Sequence, residues 1–410
     1  MTRRTLFLAV PAVLALASAA LTPTASAAPS PAGLAHRNVH VCSAPASGDA
    51  ACHAIRHDTI TSNGRVITNT TPAGYGPGDL QSAYSLPSLT AGAGVGQVVA
   101  IVDAYNDPNA LSDVNTYRAQ FGTPALPTCT NPSPLSSNRP CFSKVNQKGQ
   151  ASGYPRNNGG WSQEISLDLD MVSAVCPNCS ILLVEASSAT FANLGTAVNR
   201  AAALGATEIS NSYGGGESSS DLNYDASYFN HPGVAITASS GDGGYGVEYP
   251  AASQYVTAVG GTSLTGSITA GWSETAWSGA GSGCSAYDPK PNWQSSIANS
   301  VCAKRAVADV SAVADPYTGV AVYDSYTYQG VGGWLVFGGT SVSSPLIASV
   351  YALAGNASAF SYGTFPYSHT LELNDVTSGS NGSCVSALCN ATTGWDGPTG
   401  LGTPRGTGAF

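Results

Sequence analysis

Charge is scarce in this 410-residue chain: Asp, Glu, Lys and Arg together make up 10% of it. The 15 basic residues are outnumbered by 24 acidic ones, leaving a net charge of −9. Nucleic acid and anionic membrane both select clustered Lys and Arg, so this composition supports neither as a partner. Histidine is scarcer still. Four of the six (His36, His40, His53 and His57) fall before residue 75, which leaves His231 and His369 for the whole of the body. The same boundary divides the charge, because residues 1–75 hold five Arg and two Asp while the remainder holds ten bases and 22 acids. Beyond the N-terminus no run is long and apolar enough to span a bilayer. With 43% hydrophobic residues the chain can still bury a large core, which excludes global disorder.

What is present at the N-terminus is an export pattern. Arg3 and Arg4 precede an apolar run from Leu6 to Leu21, interrupted by Pro11, and Ala25-Ser26-Ala27 offers a small-residue cleavage site. Residues 1–27 are thus expected to be a secretory signal, and the mature protein a secreted monomer free of the membrane. Ten Cys, an even number, fit an oxidising compartment. Their spacing suggests the neighbour pairs Cys42–Cys52, Cys129–Cys141, Cys176–Cys179, Cys284–Cys302 and Cys384–Cys389. The Cys176-Pro-Asn-Cys179 unit is also half a zinc site by spacing, but it has no second such pair nearby, which favours a disulfide.

Residues 28–75 are polar and short for a core of their own. From Tyr75 onward, apolar runs bounded by Gly alternate with helical patterns. Val98–Val102, Ile181–Val184, Val234–Ala238 and Val256–Val259 read as buried strands, and Ile209–Tyr213 as a strand region. Helices are expected from Asp107-Pro108 (Leu111, Val114, Tyr117 and Phe121 at helical spacing), near Trp161, and over Phe191–Leu204. This alternation predicts an α/β fold, a mostly parallel twisted sheet with helices on both faces, as one catalytic domain over residues 76–410. In such sheets reactive groups gather at the carboxyl edge.

Three segments place reactive residues there. Gly338-Gly339-Thr340-Ser341 follows the apolar Trp334–Phe337 and opens the apolar helix Leu346–Leu353, with Pro345 expected in its first turn. A sharp glycine turn would expose the Ser341 hydroxyl at the positive helix end, which suits a nucleophile; a simple N-cap is the alternative. A serine nucleophile needs a base. His231 precedes its strand, at the wrong sheet edge, and His369 has no evident partner. Glu164 and Asp168 lie one helical turn apart and can share a proton, so Glu164 can serve as base with Asp168 behind it, unless both merely face solvent. Ser239-Ser240-Gly241-Asp242-Gly243 ends another strand. A protonated Asp242 can donate to an oxyanion, which a carboxylate cannot.

These residues in combination (Glu164-x-x-Leu167-Asp168, Ser240-Gly241-Asp242, and Gly339-Thr340-Ser341 with Pro345) resemble the sedolisins, the serine-carboxyl peptidases of subtilisin-like fold, from about Tyr75 to Pro404. The resemblance implies Ser341 as nucleophile, Glu164 as general base, Asp168 as its partner and Asp242 as oxyanion donor, acting on polypeptides at acid pH. Asp103 resembles the aspartate of the subtilisin triad and, with no His to orient, implies a supporting role. The resemblance further implies one structural Ca²⁺ bound by Asp375, Asp396 and the carbonyls of Val376, Thr392 and Gly394, an oxygen-only set that suits a hard cation. The family carries a long, separately folded prodomain. Here residues 28–75 read instead as a short propeptide, released on acidification. Two other readings stay open: a neutral subtilisin-like peptidase using an unplaced His, and a secreted binding protein on a degenerate protease fold.

Overall fold

The structure, a computed structural model, describes residues 34–410 except 90–91, 135–138, 298 and 360–361. The export signal expected over residues 1–27 lies outside the described residues. The buried strands form as continuous apolar runs: every residue of Val98–Ala104 and of Ser180–Ala186 is buried. A run buried on both faces needs covering layers on both, which is the parallel-sheet arrangement. Across the central sheet the order is Gly271–Ala276, Thr257–Ser267, Ala235–Ser239, Glu208–Asn211, Val98–Ala104, Ser180–Ala186 and Phe142–Asn146. All neighbours are parallel except the first two, which form a hairpin, and Val310–Val313 pairs parallel with Thr257–Ser267.

The pleat sorts side chains between the layers. Val99 and Ile101 pack with Ile165, Leu169 and Val172 of the helix Gly159–Val175. Ala100 and Val102 belong to the larger cluster that includes Phe191, Leu194 and Val198 of the helix Phe191–Ala203. Because the strands are parallel, Asp103, Ser212 and Asp242 all come at or just after strand ends on one edge of the sheet. Two local expectations shift. The helix expected from Asp107 begins at Ala110, since the Asp107 carboxylate accepts the Asn109 N–H at 2.9 Å and makes a turn of its own. The helix carrying Ser341 begins at Thr340, so Pro345 lies past the first turn, inside the helix.

The N-terminal segment is not a separate unit, despite its polar composition. Ala35–His40 pairs with Ile55–Ile60, which joins Val331–Gly338, and Ala51–Cys52 pairs with Tyr213–Gly216. Val41, Ala50, Cys52 and Ala54 enter the main core. Its cation Arg56 is buried, held by two hydrogen bonds to Asp58 and one to Gln163. All five neighbour disulfides form. Among the described residues no helix is long and apolar enough to cross a membrane.

One buried ion pair fixes the last sheet strand. Arg305 and Asp309, both fully buried, bond through two oxygens, and Asp309 also accepts the Ala258 N–H at 2.7 Å. Replacing Arg305 by Met leaves that carboxylate without its cation, and losing one partner of a buried pair costs about 3–5 kcal/mol. Urea unfolding of Arg305→Met against the parent checks this; a loss under 1 kcal/mol would contradict it.

Candidate active site

Ser341 sits where strand Val331–Gly338 turns into the helix Thr340–Ala354. The turn uses Gly339 at φ +95°, and a side chain there is excluded: its Cβ would lie 1.8 Å from the His53 carbonyl oxygen and 2.6 Å from Asp242 Oδ2. The Ser341 hydroxyl donates to the Ser212 carbonyl at 3.2 Å. Pro345 contributes here for a reason other than the expected one. Lacking an N–H, it leaves the Ser341 carbonyl without its helical donor, and the Ser212 hydroxyl approaches that carbonyl at 3.5 Å instead.

The helix Gly159–Val175 is capped by Asn158, whose side chain accepts the N–H groups of Gly160 and Trp161. Every residue from Gly160 to Val175 is buried, so Glu164 and Asp168 have no solvated face to occupy. Glu164 Oε2 accepts the Ala54 N–H at 2.8 Å, while Oε1 is buried without a hydrogen bond. Asp168 Oδ1 accepts the Ser212 hydroxyl at 2.8 Å. Burial and then the charge of Asp103 push Glu164 well above the usual carboxyl range, with the Ser341 hydroxyl and the Ala54 N–H pulling back. Asp168 is raised by burial, by Asp103 and by Glu164 in turn. Asp103, fully buried with neither oxygen hydrogen-bonded, is raised by burial and Glu185. Three carboxyls in one dry site hold protons that isolated ones would lose.

Asp242 acts as the helix cap that Gly339 cannot be. Its Oδ1 accepts the Thr340 N–H at 2.7 Å and the Thr340 hydroxyl at 2.8 Å, leaving Oδ2 buried without a partner beside Gly339. Burial raises its pKa to about 6, against the opposing pull of His53 and the Thr340 donors.

Residues 149–365 match the subtilase family. Kumamolisin of Bacillus sp. (strain MN-32) is 30% identical over 373 residues, covering 82% of this chain and 63% of its own. Sedolisin of Pseudomonas sp. (strain 101) is 29% identical over 371 residues, covering 79% of this chain and 57% of its own. The chain belongs to the sedolisin family. The structure of Pseudomonas sedolisin, a serine-carboxyl proteinase complexed with two molecules of pseudo-iodotyrostatin, superposes with a TM-score of 0.65 at 25% identity. That match covers 82% of this chain and 96% of that one. The chain spans 63% and 57% of the two curated relatives' lengths.

Here Ser341, Glu164, Asp168 and Asp242 come together at one sheet edge, with Asp103 near the Glu164–Asp168 pair. The histidines of the body do not join them: His231 bonds Asn199, and His369 bonds Ser368 and Phe365. Sequence reasoning missed Ser212, His53 and Glu248. Ser212 follows a strand at the same edge and could have been flagged on that ground. The other two meet across 195 residues, and no local pattern announces them. Near the C-terminus, the Asp375 and Asp396 carboxylates accept the N–H groups of Gly394 and Thr392, so both grip the 392–396 loop.

Proposed function

We propose that this chain is a secreted serine-carboxyl peptidase that hydrolyses polypeptides at acid pH, with residues 76–410 as its catalytic domain. One observation carries the reading. Ser212 accepts from the Ser341 hydroxyl through its carbonyl and donates to Asp168 through its hydroxyl, tying the serine to the carboxyl pair. Ser341 Oγ attacks the substrate carbonyl as Glu164 takes its proton, and Asp168, buried beside Glu164, shares the resulting proton charge. Protonated Asp242 donates from Oδ2 to the oxygen on which negative charge develops, alongside the amides of the helix start. Glu164 returns its proton to the leaving amine, and water then cleaves the acyl-enzyme. Because Asp242 donates only below a pKa of about 6, activity belongs to the acid side. The test is a pH series of cleavage on a denatured protein, with Ser341→Ala as the control. Serine-dependent cleavage undiminished at pH 8 would overturn the acid mechanism.

The family resemblance also supports a Ca²⁺ site, and the residues present fit one. Asp396 is fully buried, and burial lifts its pKa to about 7, with Asp375 adding to the rise despite three donors to Asp396. A cation held against the Asp396 carboxylate would reverse that cost. Asp375, Asp396 and the carbonyls of Val376, Thr392 and Gly394 would hold the ion, which supplies loop rigidity and no chemistry. Chelation is expected to lower the melting temperature by several degrees, with recovery on adding Ca²⁺. Identical melting with and without chelator would remove the site.

A further inference from the structure

Carboxylates gather a second time where the strand Tyr213–Gly216 leaves the candidate active site. Glu217 follows that strand directly, Asp221 opens the one-turn helix Asp221–Tyr224, and Asp225 comes next, so the three recur at every fourth residue. Asp288 joins them from the strand Gly283–Pro289. One oxygen from each of Glu217, Asp221 and Asp288 lies within 4.8 Å of the others. Like charges so placed repel, and solvent does not relieve them here: Asp221 and Asp288 are fully buried and Asp225 is 1% exposed. Among the described residues none of the four forms an ion pair with Lys, Arg or His. On the neighbouring strand, Lys304 donates to the Ala286 carbonyl and Arg305 is held by Asp309.

Two of the carboxylates are fixed by donors. The Ser285 hydroxyl and the Ala286 N–H, at 3.1 Å for the latter, donate to Glu217. The Ser218 N–H and hydroxyl donate to Asp221 at 2.8 and 2.9 Å. The same Ser285 oxygen accepts the Asp288 N–H at 2.8 Å, which sets where Asp288 leaves its strand. Asp288 itself is different, because neither of its carboxylate oxygens has a hydrogen-bond partner. Asp225 stands against it, with Oδ1 accepting the Tyr249 hydroxyl at 3.1 Å and Oδ2 buried without a partner. Buried carboxylate oxygens without donors are unfavourable until a cation meets them. Glu217 is half-buried and lines a cleft of about 450 Å³ with Gly216, Ser218 and Tyr224, which leaves one side of the cluster open to an ion from solvent.

We infer that Glu217, Asp221, Asp225 and Asp288 bind a Ca²⁺ ion that ties the end of the strand Tyr213–Gly216 to the strand Gly283–Pro289. An all-oxygen set selects a hard cation. Oxygens within 4.8 Å of one another fit around Ca²⁺, whose opposed ligands stand about 4.6–5.2 Å apart. The site shares no residue with the Asp375 and Asp396 loops, and it stands whether or not the chain is a peptidase. Its consequence is mechanical. Ser212, one residue before the strand, holds both Ser341 and Asp168, so an ion at Glu217 anchors the far end of the segment that carries those bonds.

Equilibrium dialysis of the full chain against Ca²⁺ at pH 7 counts the ions bound. Asp288→Asn, which keeps the shape of the side chain, should lower the count by one ion per chain, and should do so equally in an Asp396→Asn background. An unchanged count overturns the proposal and leaves the four groups sharing protons. Should Asp288→Asn fail to fold, Glu217→Gln at the half-buried position is expected to give the same loss. Hydrogen exchange then locates the ion. With Ca²⁺ at ten times its Kd, amides of residues 214–221 and 284–288 should exchange about tenfold more slowly in the parent, and at an unchanged rate in Asp288→Asn. Protection confined to residues 375–396 would overturn the site and leave the C-terminal one standing.

Discussion

Ser341→Ala is expected to lower kcat by about 10⁴–10⁶-fold, and Glu164→Gln by a comparable factor, with the fold of each variant unchanged by circular dichroism. The reason both losses should be near-total is that neither group has a substitute nearby. Among the described residues no histidine bonds Ser341, and the Ser212 carbonyl that its hydroxyl meets cannot act as a base. Glu164 also reaches a peptide nitrogen, that of Ala54. On the proposed mechanism, removing it takes away both the base of the first half-reaction and the acid that protonates the leaving amine. Effects of groups acting as a unit do not add. The double variant should be no slower than the slower single one. Activity of Glu164→Gln within tenfold of the parent would show that the base lies elsewhere.

The second large effect concerns Asp242 and its sign with pH. Burial raises its pKa to about 6, so the neutral, donating form is complete well below that value and is lost as pH rises through it. Above about 6 the parent should lose activity roughly tenfold per pH unit, because a carboxylate at that position repels the oxygen it should stabilise. Asp242→Asn keeps an N–H donor at every pH, so its alkaline limb should disappear from that range. Asp242→Ala has no donor and should be about 10²–10³-fold slower at acid pH. If the Asn variant kept the parent's fall near pH 6, another group would own that limb. On the acid side, the limb is expected from the first ionisation of the Glu164, Asp168 and Asp103 cluster, whose members burial and neighbouring carboxylates all raise.

The sheet was legible in the sequence because a strand buried on both faces must be apolar at every position, as Val98–Val102 and Ile181–Val184 are. The carboxyl pair was legible because one helical turn is a fixed spacing. What escaped was long-range. Residues 28–75 look too polar for a core, yet Cys52–Arg56 are buried because the partners of this stretch lie in strands over 150 residues away, at Tyr213–Gly216 and Val331–Gly338. Glu164 and Asp168 could equally have been two solvated acids. Only the packing of the whole Gly159–Val175 helix inside the protein decides against it. Pro345 illustrates a subtler failure, since its value lies in the carbonyl it leaves free and not in its place along the helix.

The Cys42–Cys52 disulfide closes a loop of which both ends precede His53. Should residues 28–75 leave as the expected propeptide, no covalent tie would hold that loop to the rest of the chain. What would remain is the pairing of Ile55–Ile60 with Val331–Gly338 and of Ala51–Cys52 with Tyr213–Gly216, both of which would then span two molecules. The freed piece becomes a dissociable inhibitor whose occupancy depends on concentration. A concentrated, fully cut stock should stay largely silent, and dilution should bring activity on after a lag set by the departure rate of the fragment.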